Sequence, residues 1–321
     1  MACSLSLMLV ACGGETTGDT DGDSTPESAG VQAEGAVPRE EIQHKSLGIP
    51  RSSPIAGPQP GSFKRIHLPS GRHFMLFLPE TYDASKQWPM ILAFHGWKET
   101  SWQIYKYSQL SSSYAITVYP QGEKRAWAPA PYAETTGAED VQYVEDIIDA
   151  LRATYTIDDD RIFAAGMSNG GGFAAYLACQ LPNVFNSVAT VSAAYYEAIH
   201  KDCQGEPVGR LDIHGTEDPI VDYYGGRRHG ARYVSVNDVL AMDAQRNRCA
   251  SGATTERLSD GALYQTWSQC QAPLQHVRIG GGSHVWPGGT ADDTNSVPAG
   301  FATDKVLDFF AVPGRAEGAE D

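Results

Sequence analysis

A hydroxyl, an imidazole and a carboxylate can together cleave an acyl bond. The imidazole takes the hydroxyl's proton, and the carboxylate holds the imidazole in the tautomer that can do so. The chain offers one of each in loops rich in small residues. Ser168 lies in Gly166-Met167-Ser168-Asn169-Gly170, Asp218 in His214-Gly215-Thr216-Glu217-Asp218-Pro219, and His284 in Gly280-Gly281-Gly282-Ser283-His284-Val285-Trp286. With 33 glycines in 321 residues, a G-x-S-x-G arises by chance roughly 0.25 times per chain, so the serine motif alone is weak. Its setting is stronger. An apolar run (162–165) enters it and a small-residue, helix-competent run (173–179) leaves it. Glycines two residues before and two after the serine suit a tight turn in which strand and helix approach closely.

The elements needed to position these groups are legible as alternating strands and helices. Residues 63–68 and 73–78, split by Pro69-Ser70-Gly71-Arg72, predict a β-hairpin. Strands are predicted at 88–94, 115–119, 162–165, 187–191, 210–213 and 276–279. Val141, Val144, Ile147, Ile148 and Leu151 give residues 139–155 helical spacing, and 304–311 reads as a closing helix. This alternation implies a mostly parallel sheet flanked by helices. A serine on a strand-to-helix turn, followed by an acid and then a histidine each after a strand, specifies the α/β-hydrolase fold. Glu217 is the alternative acid. Asp212 lies within a strand, and His95 and His214 are expected to be structural. The oxyanion of the tetrahedral intermediate needs two backbone N–H donors, expected from Asn169 and from Trp97 in His95-Gly96-Trp97. Trp127, Tyr196, Tyr224 and Trp286 are candidate substrate contacts. No metal or organic cofactor is required by this chemistry.

Composition narrows the partners. The formal charge of −15 disfavours nucleic acid and anionic membrane surfaces. No run of 18 apolar residues exists, so no transmembrane helix is predicted. The chain opens with a short apolar run ending in Leu9-Val10-Ala11-Cys12, which resembles a bacterial lipobox. Residues 1–12 are expected to be a signal segment whose Cys12 carries lipid, the sole membrane attachment. Residues 13–60 are rich in Gly, Ser, Thr, Pro, Asp and Glu, the composition of a solvated linker. Asp19, Asp21 and Asp23 lack the glycine and closing glutamate of a calcium loop. The catalytic domain is expected at 61–313 and a tail at 314–321, in a monomer at the cell surface or secreted. Beyond Cys3 and Cys12, the cysteines are Cys179, Cys203, Cys249 and Cys270. An even set in an exported chain favours two disulfides, with three possible pairings.

The phrases FHGW, VYPQG, EDVQYVEDIID, DDDRIFAAGMSNGGGFAAYLAC, HGTEDPIVDYYGG, RNRC and GGSHVWPGG resemble the esterases of carbohydrate esterase family 1. That group includes feruloyl esterases, acetylxylan esterases and related polyhydroxybutyrate depolymerases. The likeness runs from about 62 to 311 and is greatest to the feruloyl branch. It implies Ser168, Asp218 and His284 as the triad, and disulfides Cys179–Cys203 and Cys249–Cys270. The expected activity is hydrolysis of hydroxycinnamoyl esters of plant polysaccharide. Polyester depolymerase and acetylxylan esterase are the alternatives. A catalytically silent surface lipoprotein is the alternative outside enzymes, and the complete set of serine, acid and histidine argues against it.

Overall fold

The computed structural model describes residues 54–314 except 251, 260 and 295. Cys12, the lipobox, all but the first residue of the tail and most of the expected linker lie outside these residues. In chain order the strands are β1 (Phe63–His67), β2 (His73–Phe77), β3 (Trp88–Phe94), β4 (Ile116–Pro120), β5 (Ile157–Met167), β6 (Ser187–Val191), β7 (Gly209–Gly215), β8 (Gly226–Arg228), β9 (Ala231–Tyr233), β10 (Ala253–Ser259), β11 (Ala262–Trp267) and β12 (Leu274–Ile279). The α-helices are α1 (Ser101–Ser108), α2 (Gly137–Arg152), α3 (Asn169–Gln180), α4 (Val236–Arg246) and α5 (Phe301–Phe309).

Ten strands form one sheet in the order β1-β2-β4-β3-β5-β6-β7-β12-β11-β10. The six from β4 to β12 run parallel. The pairs β1-β2 and β11-β10 flank them antiparallel. The parallel strands read as continuous apolar runs because helices cover both faces. All seven residues of β3 are buried, as are all five of β6. Tyr143, Val144, Ile147, Ile148 and Leu151 of α2 pack with Phe173 and Leu177 of α3 on one face. Ile104 and Tyr107 of α1 pack with Val306 and Leu307 of α5 on the other. Truncating one of these side chains, such as Ile147→Ala, is worth about 2–5 kcal/mol. The helix α2 starts where a capping box closes: Glu139 N donates to Thr136 Oγ1 at 3.3 Å, and Thr136 N to Glu139 Oε2 at 2.7 Å.

The α/β-hydrolase architecture expected from the sequence is present; α1, α4 and the β8-β9 hairpin are additional to it, and two further differences lie at its edges. The folded region begins earlier than residue 61. Ile55 N donates to Thr154 Oγ1 at 3.0 Å and the Ile55 side chain packs on the core, so residues 54–60 are not free linker. The sheet also gains β10 and β11, a hairpin whose residues are mostly exposed or half-buried and so lack an apolar signature. The two disulfides Cys179–Cys203 and Cys249–Cys270 are formed. Among the described residues no helix is long and apolar enough to cross a membrane.

Candidate active site

Ser168 follows β5 and is the N-cap of α3. Its backbone stands at φ 54°, ψ −118°, a conformation that a side chain makes costly by about 1–3 kcal/mol and that clusters at functional turns. The surroundings over-determine it. Ser168 N donates to Val191 O at 2.9 Å, and Ser168 O accepts from Gly172 N and Ala194 N at 3.0 Å each. Glycine is obligatory at Gly170, because a Cβ there would collide with Phe94 O at the end of β3. Helix α3 therefore touches the strand that carries the Gly96-Trp97 loop.

Asp218 follows β7 and His284 follows β12, both at the carboxyl edge where Ser168 stands. Asp218 Oδ2 lies 2.7 Å from His284 Nδ1. A carboxylate only accepts, so Nδ1 carries the proton and Nε2 is left as the basic nitrogen. Asp218 Oδ1 accepts from the Ile220 and Val221 amides at 2.8 Å each. Burial opposes the ionised acid, but hydrogen bonds from His214, His284 and the Val221 amide outweigh it and hold this carboxyl well below the usual range. The strand β12 is three positions from β5, roughly 14 Å at about 4.8 Å per strand. The histidine loop returns across that gap. Ser192, at the end of β6 beside Ser168, donates from Oγ to Val285 O at 3.0 Å.

The loop after β3 is pinned on both sides of Trp97. Gly96 N donates to Glu99 Oε2 at 2.8 Å, and Tyr107 Oη donates to the same oxygen at 2.8 Å. Lys98 N donates to Arg125 O at 2.8 Å. A Cβ on Gly96 would stand 3.5 Å from Ser168 Cβ, so this loop borders the serine directly. Asn169 opens α3, where the first amides have no partner within the helix. Its side chain clamps another loop: Oδ1 accepts from Trp127 N at 2.8 Å and Nδ2 donates to Trp127 O at 2.9 Å.

The candidate substrate contacts divide. Trp127 is fully buried, stacks on Phe173 at 5.0 Å and donates its Nε1 to His95 O at 3.0 Å. Trp286 is buried and donates to Thr303 Oγ1 at 3.0 Å. Neither indole rims an open site, because each N–H has found its partner in the interior, and both expectations are corrected here. Tyr196 is buried but meets Tyr132 at 6.0 Å. Tyr224 is exposed. Sequence reasoning missed the aromatic group formed by Trp97, Tyr132 and His229, with ring centroids 4.5–4.8 Å apart. These rings come from three loops, so no local spacing announces them.

Below the edge, His95 and His214 are structural, as expected. His95 donates from Nδ1 to Gly96 O at 2.7 Å and accepts at Nε2 from Gly122 N at 3.0 Å. Burial lowers it to about 4. His214 Nε2 lies 3.0 Å from Val221 O and 3.4 Å from Asp218 Oδ2. Burial would lower it, yet the carboxylates of Asp218 and Asp212 raise it overall. A second buried acid–histidine pair was not foreseen. Asp212 Oδ2 lies 2.9 Å from His276 Nδ1, and His276 Nε2 lies 2.9 Å from Tyr223 Oη. It ties β7, β12 and the segment after Asp218 together. Among the described residues no group of three His, Cys, Asp or Glu side chains is arranged to hold a metal ion.

The ten-stranded, centrally parallel sheet and the serine turn at its carboxyl edge define an α/β-hydrolase fold. Residues 72–222 match the family described as esterase PHB depolymerase. The chain is 28% identical to a probable feruloyl esterase C of Aspergillus terreus over 265 residues, covering 79% of this chain and 89% of that protein. It is 27% identical to feruloyl esterase C of Emericella nidulans, covering 81% and 91%. An acetyl xylan esterase from Aspergillus awamori superposes with a TM-score of 0.57 at 13% identity, covering 78% of this chain and 99% of that one. The esterase resemblance carried by the sequence motifs is borne out, and the fold and these relatives together make this chain a carboxylic ester hydrolase.

Proposed function

We propose that this protein is an exported serine carboxylesterase acting on hydroxycinnamoyl esters of plant polysaccharide. The 2.7 Å pair of His284 and Asp218, placed on the same sheet edge as the strained Ser168, carries the reading. Ser168 Oγ attacks the ester carbonyl while His284 Nε2 takes its proton. The oxyanion is held by the amides of Asn169 and Trp97. His284 returns the proton to the leaving sugar hydroxyl, and the acyl group stays on Ser168. Water then attacks, again with His284 as base. Asp218 keeps its charge throughout and stabilises the imidazolium.

The acyl preference is supported by the rings of Trp97, Tyr132 and His229, which gather beside the proposed oxyanion donor. A flat phenolic acyl group stacks on such a surface where acetyl cannot. An extra 100 Å² buried at about 25 cal/mol per Å² contributes roughly 2.5 kcal/mol, close to two powers of ten in kcat/KM if expressed in the transition state. Feruloyl esterase C relatives along most of the chain agree with this preference. Export is supported by the two disulfides, which persist in oxidising compartments. A lipid on Cys12 would add the surface anchor. The test is turnover of methyl ferulate against methyl acetate and a hydroxybutyrate oligomer. Preferred cleavage of ferulate is expected. Cleavage of the oligomer with ferulate untouched would move the assignment to the depolymerases.

A further inference from the structure

A cleft of about 460 Å³ opens beside the Gly96-Trp97 loop, between the β1-β2 hairpin, the start of α1 and the loop after β4. Its walls carry Arg65, Arg72, His73, Trp102, Lys124 and Arg125, with Glu123 the one acid. This is a concentration of cations on a chain with a formal charge of −15. Arg72 is committed to Asp140 at 2.7 Å. Arg65, Lys124 and Arg125 are exposed and form no ion pair among the described residues. Burial lowers His73, and the charges of Arg65, His67 and Arg72 lower it further against the opposing charge of Glu123.

The loop presents its cations from an unfavourable backbone. Lys124 stands at φ 46° and Arg125 at φ 60°, successive left-handed residues that are not glycine. The same loop is tied to the catalytic edge. Gly122 N donates to His95 Nε2 at 3.0 Å, and Arg125 O accepts from Lys98 N at 2.8 Å, one residue from Trp97. Trp102 on the opposite wall is 49% exposed, enough for one ring face to meet a sugar. Lys106 lies 5.1 Å over its ring and adds a further cation beside the cleft.

We propose that this cleft is a glycan subsite that binds the carboxylate of a uronic-acid unit on the polysaccharide carrying the ester. Lys124, Arg125 and Arg65 supply the charge-assisted donors, and Trp102 supplies the stacking face. The proposal rests on the polysaccharide-ester reading and deepens it by naming an acidic glycan as the carrier. An acidic chain would otherwise repel such a polymer, so local cations beside the catalytic loop set both its approach and its register.

The test separates binding from turnover. Full-length protein carrying Ser168→Ala is titrated calorimetrically at low salt with three probes: xylotriose bearing one glucuronic acid, plain xylotriose, and inorganic phosphate. The acidic glycan should bind at least tenfold tighter than plain xylotriose and weaken as salt rises. Lys124→Gln with Arg125→Gln should reduce that binding about tenfold or more. If that variant melts early, Arg65→Gln and Trp102→Ala, on other elements, should each weaken it severalfold. Equal affinity for the two glycans, or no loss in the variants, overturns the proposal. Phosphate displacing the acidic glycan at equal concentration also overturns it, leaving a general anion patch only. Methyl ferulate turnover by the unmodified protein decides the ester reading independently, since that small neutral ester carries no uronate.

Discussion

Replacing His95 with glutamine should change how stability depends on pH, by an amount the structure sets. The ring is fully buried, gives one proton to Gly96 O and accepts another from Gly122 N. Protonation would force Nε2 to donate toward an amide that also donates. Burial is the main cause that holds the neutral form, with the charges of Arg125 and Arg72 adding to it, and the value falls from 6.5 to about 4. A base whose folded value is depressed binds fewer protons folded than unfolded between these two pH values. Its contribution is complete above about pH 6.5 and is lost as pH falls toward 4. A fall from 6.5 to about 4 corresponds to roughly 3 kcal/mol. Glutamine does not titrate and can still accept at one end and donate at the other. His95→Gln should cost about 1–3 kcal/mol at pH 7.5, from imperfect hydrogen bonds. Between pH 7.5 and 4 the difference should move by roughly 3 kcal/mol in the variant's favour, so that the gap to the parent closes or reverses. Urea unfolding at four or five pH values measures both curves. His200, also lowered to about 4 mainly by burial, titrates in the same window. Its contribution is common to both proteins and cancels in the difference. A gap that stays constant across the range would refute the neutral, doubly bonded His95.

Ser168→Ala and His284→Ala should each cost about 10^4 or more in kcat while leaving the melting temperature within a few degrees, and Asp218→Asn should be comparably severe through the wrong imidazole tautomer. Substantial ester hydrolysis by folded Ser168→Ala would exclude the proposed nucleophile. Glu99→Gln should lower kcat about tenfold or more with little change in KM, because its carboxylate aims the Gly96-Trp97 amides without touching substrate; equal changes in both constants would point to a binding role instead. Reduction should lower the melting temperature. The Cys249–Cys270 link joins residues 21 apart in sequence and is worth about 3 kcal/mol in the chain-entropy account. Unchanged melting under reductant would show that the chain is held by its core alone.

The strands that bear the candidate groups were legible because they are short apolar runs bounded by glycine-rich turns. The run 88–94 matches β3 residue for residue, and 187–191 matches β6. The run 162–165 is only the buried end of β5, whose start at Ile157 is masked by Asp158, Asp159 and Asp160. Helix α1 was not recognised because it buries only Ile104, Tyr107 and two serines, leaving a weak apolar stripe. The order of serine, acid and histidine loops is a property of chain connectivity and so appears in one dimension. The aromatic group and the cationic cleft are not, since each draws on three segments far apart in sequence. Trp127 illustrates the opposite error. In a loop of alanines and prolines it reads as a surface ring, while the partners that bury it, Asn169, His95 and Phe173, lie 32–46 positions away.

The knot around Trp127 has a consequence for how this edge of the molecule moves. Its backbone is gripped by Asn169 from α3, and its indole by His95 from the end of β3. The next amide, Ala128 N, donates to Asp140 Oδ2 of α2 at 2.8 Å. No one of these elements can open without releasing the others. Amide hydrogens of the serine turn, the 126–128 loop and the start of α2 should therefore exchange with solvent as one cooperative unit. Loop grafting that replaces residues 126–128 would then act on the serine turn from a distance. Graft libraries aimed at substrate range are better confined to the β8-β9 turn around His229, which is exposed and reaches the aromatic group without entering that knot.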